Sequence, residues 1–243
     1  MKMKTIIAGV SAVVVVAAML VTAIWASRRP VQTPCAWIKV EVTDSLQRRF
    51  VKSNELCMLL QREGLSPVGK RMDAVSCQAI EDCLLGHDMV RTAECYKSAN
   101  GGVCVRVTQR VPALFVRSND GNYYVDEDRK VMPVRATIEV DVPVFRGAVG
   151  KRAATEEYYD FAQWLVANRY WRTRIKHVHV HNTKHLVLAQ HEVKGDIILG
   201  ELEGYEKKMD RLQKLYTKGF DKIGYTDYRE YDLRFDGQVG GRR

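Results

Sequence analysis

The chain has 243 residues, 46% of them apolar, which is enough for one or two ordinary cores and favours two modest domains over one large one. A formal charge of +9 favours anionic partners such as acidic protein faces, lipid head groups or an acidic wall polymer. The basic residues are scattered among acidic ones, with no run of aromatic and basic side chains, which argues against nucleic acid as the partner.

The first element is apolar. Residues 5–26 carry no charge, and at about 1.5 Å per residue a helix of that length spans roughly 30 Å, the thickness of a bilayer core. The run is longer than the apolar part of a signal peptide. Ile24-Trp25-Ala26 does not form a small-x-small cleavage site, and Arg28 and Arg29 follow at once. These features predict an uncleaved transmembrane helix at 5–26, a cytoplasmic tail at 1–4 and a linker at 27–35. Lys2 and Lys4 on one side balance Arg28 and Arg29 on the other, so charge alone does not orient the helix.

Beyond the linker, Trp37 to Val42 alternates apolar and polar residues as a half-buried strand does. A helix should follow, capped by Ser53, striped by Leu56, Leu59 and Leu60 and stopped at Gly64. Asp73 should open a second helix through Cys77, Ile80 and Leu84 to Gly86. Strands at Met89–Tyr96 and Val103–Val107 are joined by a turn whose Asn100-Gly101 pair signals a hairpin. After a seam near Pro112 come short β-segments at Ala113–Arg117, Asn122–Val125, Val131–Pro133 and Thr137–Phe145. A helix capped by Thr155 and striped by Tyr158, Phe161 and Leu165 is expected next, then a hairpin from Ile175 to Leu199. A helix with Met209, Leu212 and Tyr216 on one side and a last strand, Tyr228 to Phe235, complete the chain. The fold class is α+β: a β-α-α-β-β unit at 36–111, a mixed or antiparallel β-domain with two packed helices at 112–239, and a tail at 240–243.

No catalytic constellation emerges. The six cysteines, Cys35, Cys57, Cys77, Cys83, Cys95 and Cys104, match no zinc or CxxC spacing and read as free, buried thiols, although an even number in an oxidising compartment is also compatible with disulfides. Asp126, Glu127 and Asp128 cluster in a turn, where carboxylates are usually solvated. The best enzyme reading is a membrane-anchored, metal-binding hydrolase. It would use His177, His179 and His181, which share one face of a strand, with His185 and His191 nearby. Same-face residues stand roughly 7 Å apart, and no neighbouring carboxylate supplies a base. No cofactor, metal or small-molecule substrate is expected.

Several stretches together resemble the FtsQ/DivIB family of bitopic cell-division proteins, in which a POTRA domain precedes a β-domain. They are the short tail and single anchor, the β-α-α-β-β unit, and Val103-Cys-Val-Arg-Val-Thr-Gln-Arg-Val-Pro112. Tyr123-Tyr-Val-Asp126 with Val131-Met-Pro133, Asp141-Val-Pro-Val-Phe-Arg-Gly147 and Tyr231-Asp-Leu-Arg-Phe-Asp-Gly-Gln-Val239 complete the set. The resemblance implies a non-enzymatic scaffold of the bacterial inner membrane, a single-pass type II protein with its bulk in the periplasm, enriched at the septum. It further implies binding of FtsB- and FtsL-like division proteins and recruitment of septal wall synthesis, with other divisome proteins meeting the POTRA-like unit.

The terminal strand suits such binding, because a last strand can leave one row of N–H and C=O groups unpaired for a partner strand to complete. Alternation puts Tyr231, Leu233 and Phe235 on one face and Glu230, Asp232 and Arg234 on the other. The expected partner-binding residues are Tyr231, Asp232, Leu233, Arg234, Phe235 and Gln238. Arg234 and Phe235 match family positions at the partner contact, while Leu233 also reads as plain core.

Overall fold

The structure, a computed structural model, describes residues 15–22, 33–43, 50–134, 140–191, 193–220 and 228–243. Of the expected anchor, 15–22 is helical with exposed side chains; the rest lies outside the described residues. Among the described residues no helix is long and apolar enough to cross a membrane.

The chain divides into two compact units, the first drawing on Lys52–Gly86 and Thr92–Val107 with the strand before them, the second on His87–Arg91 and Thr108–Arg243. The first follows the expected β-α-α-β-β order: β1 (Trp37–Val42), α1 (Ser53–Arg62), α2 (Cys77–Leu85), β2 (Val90–Lys97) and β3 (Gly102–Gln109). Its three strands are ordered β1-β3-β2, with β1 parallel to β3. Val103, Val105 and Val107 are buried on one face of β3, as alternation predicts. Leu56 and Leu60 of α1 and Ile80 and Leu84 of α2, each pair four residues apart, complete this core. Gly102 is required because the Trp37 indole lies where a Cβ would stand, within 2.2 Å.

The helix starts differ from expectation. Ser53 is the first helical residue of α1, which has no side-chain cap. Asp73 does not open α2, because its carboxylate is engaged by Arg71 at 2.6 Å; the cap is Ser76, which accepts the Ala79 N–H. None of the six cysteines is in a disulfide, but only Cys35 is fully buried and the other five are half-buried.

In the second unit, the described strands are β4 (Pro112–Ser118), β5 (Gly121–Asp126), β6 (Val131–Pro133), β7 (Val144–Gly147), β8 (Ile175–Asn182), β9 (His185–Gln190), β10 (Asp196–Gly200), β11 (Glu230–Asp232) and β12 (Gly240–Arg242). They form one sheet in the order β12-β11-β10-β9-β8-β7-β4-β5-β6. Pairings β4–β7, β7–β8 and β10–β11 are parallel, so the sheet is mixed. The core gathers Val116, Phe145, Val178, Leu188 and Ile197 from the strands with helical side chains. Tyr158, Phe161 and Leu165 come from α4 (Glu157–Ala167), and Met209 and Leu212 from α5 (Tyr205–Lys214). Each large apolar side chain so buried contributes about 1.5–3 kcal/mol. The wider helical turn Leu215–Gly219 continues α5 and adds Tyr216 to the core.

Three elements correct the expectations. Thr155 does not cap the long helix: its hydroxyl donates to the Lys151 and Arg152 carbonyls, ending a short helix, α3 (Lys151–Thr155), before a break at Glu156. The strand expected from Thr137 begins at Val144; residues 135–139 lie outside the described ones, and at Pro143, which has no N–H, the carbonyl accepts Phe115 N–H instead. The expected hairpin from Ile175 is a three-strand meander of β8, β9 and β10.

Asp126 is buried, not solvated, at 1% exposure. One carboxylate oxygen takes Arg110 at 3.1 Å, and the other accepts the N–H groups of Asp128 at 3.0 Å and Lys130 at 2.7 Å, which shapes the turn between β5 and β6. On β8, Val178 and Val180 enter the core while His177 and His179 lie half-buried and His181 exposed on the other side. Burial, then Arg146 and Lys176, hold the His177 imidazole below its ordinary value of 6.5, against a smaller opposite effect of Asp196. Burial, then His181 and Arg146, do the same to His179.

Replacing Asp126 with Ala removes the buried acceptor of two N–H groups and of the half-buried Arg110 guanidinium, and urea unfolding should show a loss of about 3 kcal/mol; a change under about 0.5 kcal/mol, typical of plain surface positions, contradicts the assignment. Because His177 and His179 are depressed in the folded state, their contribution is present above pH 6.5 and lost as pH falls through their lowered folded values. The urea midpoint should drop on acidification below pH 6.5, and the double variant His177→Gln, His179→Gln should flatten that slope; an unchanged slope refutes the assignment.

Candidate functional site

The end of the sheet is built around Tyr231. Its backbone pairs in parallel with Ile197 of β10, and its ring, 1% exposed, meets Tyr216 edge-on at 5.3 Å and Tyr228 at 5.8 Å. Leu233, fully buried, donates its N–H to the Ile198 carbonyl at 2.9 Å. The expected strand Tyr228–Phe235 therefore narrows to Glu230–Asp232. The cause is local. The Asp232 carboxylate accepts the Arg234 backbone N–H at 3.0 Å and grips its guanidinium through Nε at 3.0 Å and Nη2 at 2.6 Å, which turns the chain out of the sheet.

The expected open rim does not lie on β11, because the sheet ends one strand further out, at β12. Residues 240–242, read as a tail, form β12 and pair antiparallel with β11: Arg242 opposite Glu230, Gly241 opposite Tyr231, Gly240 opposite Asp232. The Arg229 N–H donates to the Arg242 carbonyl at 2.8 Å, Arg242 reaches Glu230 at 3.7 Å, and the Arg243 guanidinium stands 5.8 Å from the Tyr228 ring centroid. An exposed ion pair of this kind is worth about 0–1 kcal/mol, and each glycine in a strand costs roughly 0.5–1 kcal/mol relative to alanine. The pairing is a weak one.

The six expected binding residues thus separate. Tyr231 and Leu233 have their side chains in the core. Asp232 is half-buried, and Arg234, Phe235 and Gln238 are exposed. Phe235 is 54% exposed, so it leaves the face that alternation assigned it with Tyr231 and Leu233. The Arg234 guanidinium lies 5.9 Å from the Phe235 ring centroid. Its hydrogen bonds to Arg234 hold the Asp232 carboxyl below the usual carboxylate range. Arg234 lies across Gly200, where an added Cβ would come within 2.8 Å of its Cγ; the φ of +76° there also requires glycine. Neither this seat for Arg234 nor the pairing of β12 was read from the sequence. A glycine closing β10 is a signal for the first, since it marks a close approach.

The histidines do not make a metal centre. Their rings lie against one another, His179 to His181 at 4.3 Å and His181 to His185 at 4.8 Å, the latter pair stacked so that faces and not nitrogens meet. Among the described residues no group of three or more His, Cys, Asp or Glu side chains could hold a metal ion, which overturns the hydrolase alternative built on His177, His179 and His181.

Comparison with protein families gives two matches. Residues 33–108 match the POTRA-like domain model, and residues 111–240 match the model described as FtsQ/DivIB, C-terminal related. No curated protein matches the chain. The second match alone covers more than half of the chain and includes the whole of β11 with its exposed Arg234 and Phe235, and on it the chain belongs to the FtsQ/DivIB family.

Proposed function

We propose that this chain is a non-enzymatic scaffold of the bacterial divisome that binds FtsB- and FtsL-like division proteins at the last strands of its β-rich unit and helps recruit septal wall synthesis. The FtsQ/DivIB family is a membrane-associated family of cell-division scaffolds, which supports the class of function. In this reading residues 5–26 anchor the protein in the inner membrane, 36–111 form the POTRA-like domain that meets other divisome proteins, and 112–239 form the partner-binding domain in the periplasm.

The observation that carries the reading is the juxtaposition at the end of β11. An exposed phenyl ring, Phe235, stands beside a guanidinium, Arg234, that is held in place by Asp232 and seated on Gly200. Aromatic and arginine side chains are the usual hot spots of protein interfaces, and a pre-positioned pair loses little freedom on binding. Tyr231 and Leu233 serve the same surface from below, by fixing the strand that presents it. Gln238, exposed in the turn to β12, extends the surface.

Substitution separates the two roles. Phe235→Ala should weaken binding of the FtsB-like partner's extracytoplasmic region by about 30-fold or more, the effect of a 2 kcal/mol hot spot, while leaving the melting curve in place. Leu233→Ala should instead cost about 2–5 kcal/mol of folding stability through the cavity it leaves. Unchanged partner affinity for Phe235→Ala, measured by calorimetry on folded protein, refutes the assignment.

A further inference from the structure

In the first unit β2 is an outer strand of the three-stranded sheet, and α2 is tied to it. The Glu81 carboxylate of α2 accepts the Cys95 N–H of β2 at 2.6 Å. Two residues along β2, on the same face as Cys95, the Lys97 ammonium donates to the Met72 carbonyl at 2.5 Å, in the segment that leads into α2. Cys77 is the first residue of α2, four residues before Glu81 and therefore on the same side of the helix. These ties bring two sulfurs together: the Cys77 and Cys95 thiols are hydrogen-bonded to each other. Both residues are half-buried, so a small reagent has access to them. Other thiols are engaged elsewhere. Cys35 is buried and donates to the Trp37 carbonyl at 3.2 Å, and Cys104 is hydrogen-bonded to Tyr96, whose side chain alternation puts on the opposite face of β2 from Cys95.

We infer that Cys77 and Cys95 are a disulfide-forming pair that clamps α2 to the outer strand β2, closed by thiol–disulfide exchange with an oxidant that itself carries a disulfide. The exchange balances in two steps. One thiolate attacks a sulfur of the oxidant, breaks its S–S bond and releases the first thiol; the second thiolate attacks the mixed disulfide, forms the Cys77–Cys95 bond and releases the other. Two thiols are oxidised, one disulfide is reduced to two thiols, and the protons of Cys77 and Cys95 end on the leaving sulfurs. Cys95 acts second. Burial, and then the Cys77 sulfur beside it, push its thiol up, so it keeps its proton while Cys77 attacks. Two thiols already in contact close by side-chain rotation, without the backbone movement that distant cysteines require. The bond then ties residues 77–95 into a loop and restricts the unfolded chain. The inference stands independently of the partner-binding reading, because it needs only a disulfide donor, which oxidising compartments supply.

The test uses the full chain, reduced and then incubated under native conditions with glutathione disulfide as the probe. Remaining thiols are alkylated and the digest is read by mass spectrometry. A peptide pair linked through Cys77 and Cys95 is expected, with no link through Cys57, Cys83 or Cys104. Cys95→Ser should leave glutathione on Cys77, the mark of a first step without a second, whereas Cys83→Ser should leave the link intact. In urea the linked form should show an unfolding constant about a hundredfold smaller than the reduced form, a difference that Cys77→Ser should abolish. Wild-type protein in which Cys77 and Cys95 stay unlinked, or in which other cysteines link in their place, overturns the pairing. A linked form no more stable than the reduced one overturns the clamp.

Discussion

Everything at the functional end of this protein depends on how Tyr231 is held. Its ring is set among Tyr216, Phe220 and Tyr228, and its backbone pairs with Ile197. An aromatic side chain buried on this scale dominates local energetics, and its geometry admits few alternatives. Because a strand shows alternate side chains to alternate faces, fixing Tyr231 inward also fixes Asp232 outward. Asp232 in turn captures Arg234, and the chain leaves the sheet with Phe235 in solvent. The exposed pair is therefore a consequence of the core, transmitted through one strand of three residues.

The same strand is where the sequence was most and least informative. Leu233 was legible as core because it alternates with charged residues, whereas Tyr231, expected at the partner contact, lies in the core as well; the β-α-α-β-β order of the first unit was legible from the same alternation at Val103, Val105 and Val107. Phe235 was assigned the wrong face because the alternation was carried past Asp232, whose side-chain hydrogen bonds to Arg234 end the strand. The tail pairing was hidden, since Gly240-Gly241-Arg242 has neither the period nor the propensity of a strand and owes its place to the shape of the rim. Asp126 misled in the opposite direction. A turn carboxylate reads as solvated until Arg110, sixteen residues earlier, is seen to reach it. Long-range pairing of this kind leaves no local mark.

A division of labour emerges across the nine described strands. The inner strands β7, β8, β9 and β10 carry the fully buried side chains Phe145, Val178, Val180, Leu186, Leu188 and Ile197 and supply rigidity. The margin, β11 with β12, is made of two three-residue strands, the outer one with two glycines. A scaffold needs this combination: a stiff body, so that a binding surface is pre-formed, and a compliant edge, so that a second chain can join without unfolding the first. The histidines of β8 belong to the stiff part, where His181 stacks on His185 of β9 and burial with Arg146 holds His177 below its ordinary value.

The central claim is that another division protein meets this margin at Arg234 and Phe235 and not elsewhere on the sheet. The most direct measurement is a photo-crosslinking scan in dividing cells with the probe placed at each position from 228 to 239. The account predicts capture of an FtsB-like protein from positions 234, 235 and 238, and none from 231 and 233, whose side chains face the core. Capture confined to other positions, or none along the whole scan in cells that still form septa, contradicts it.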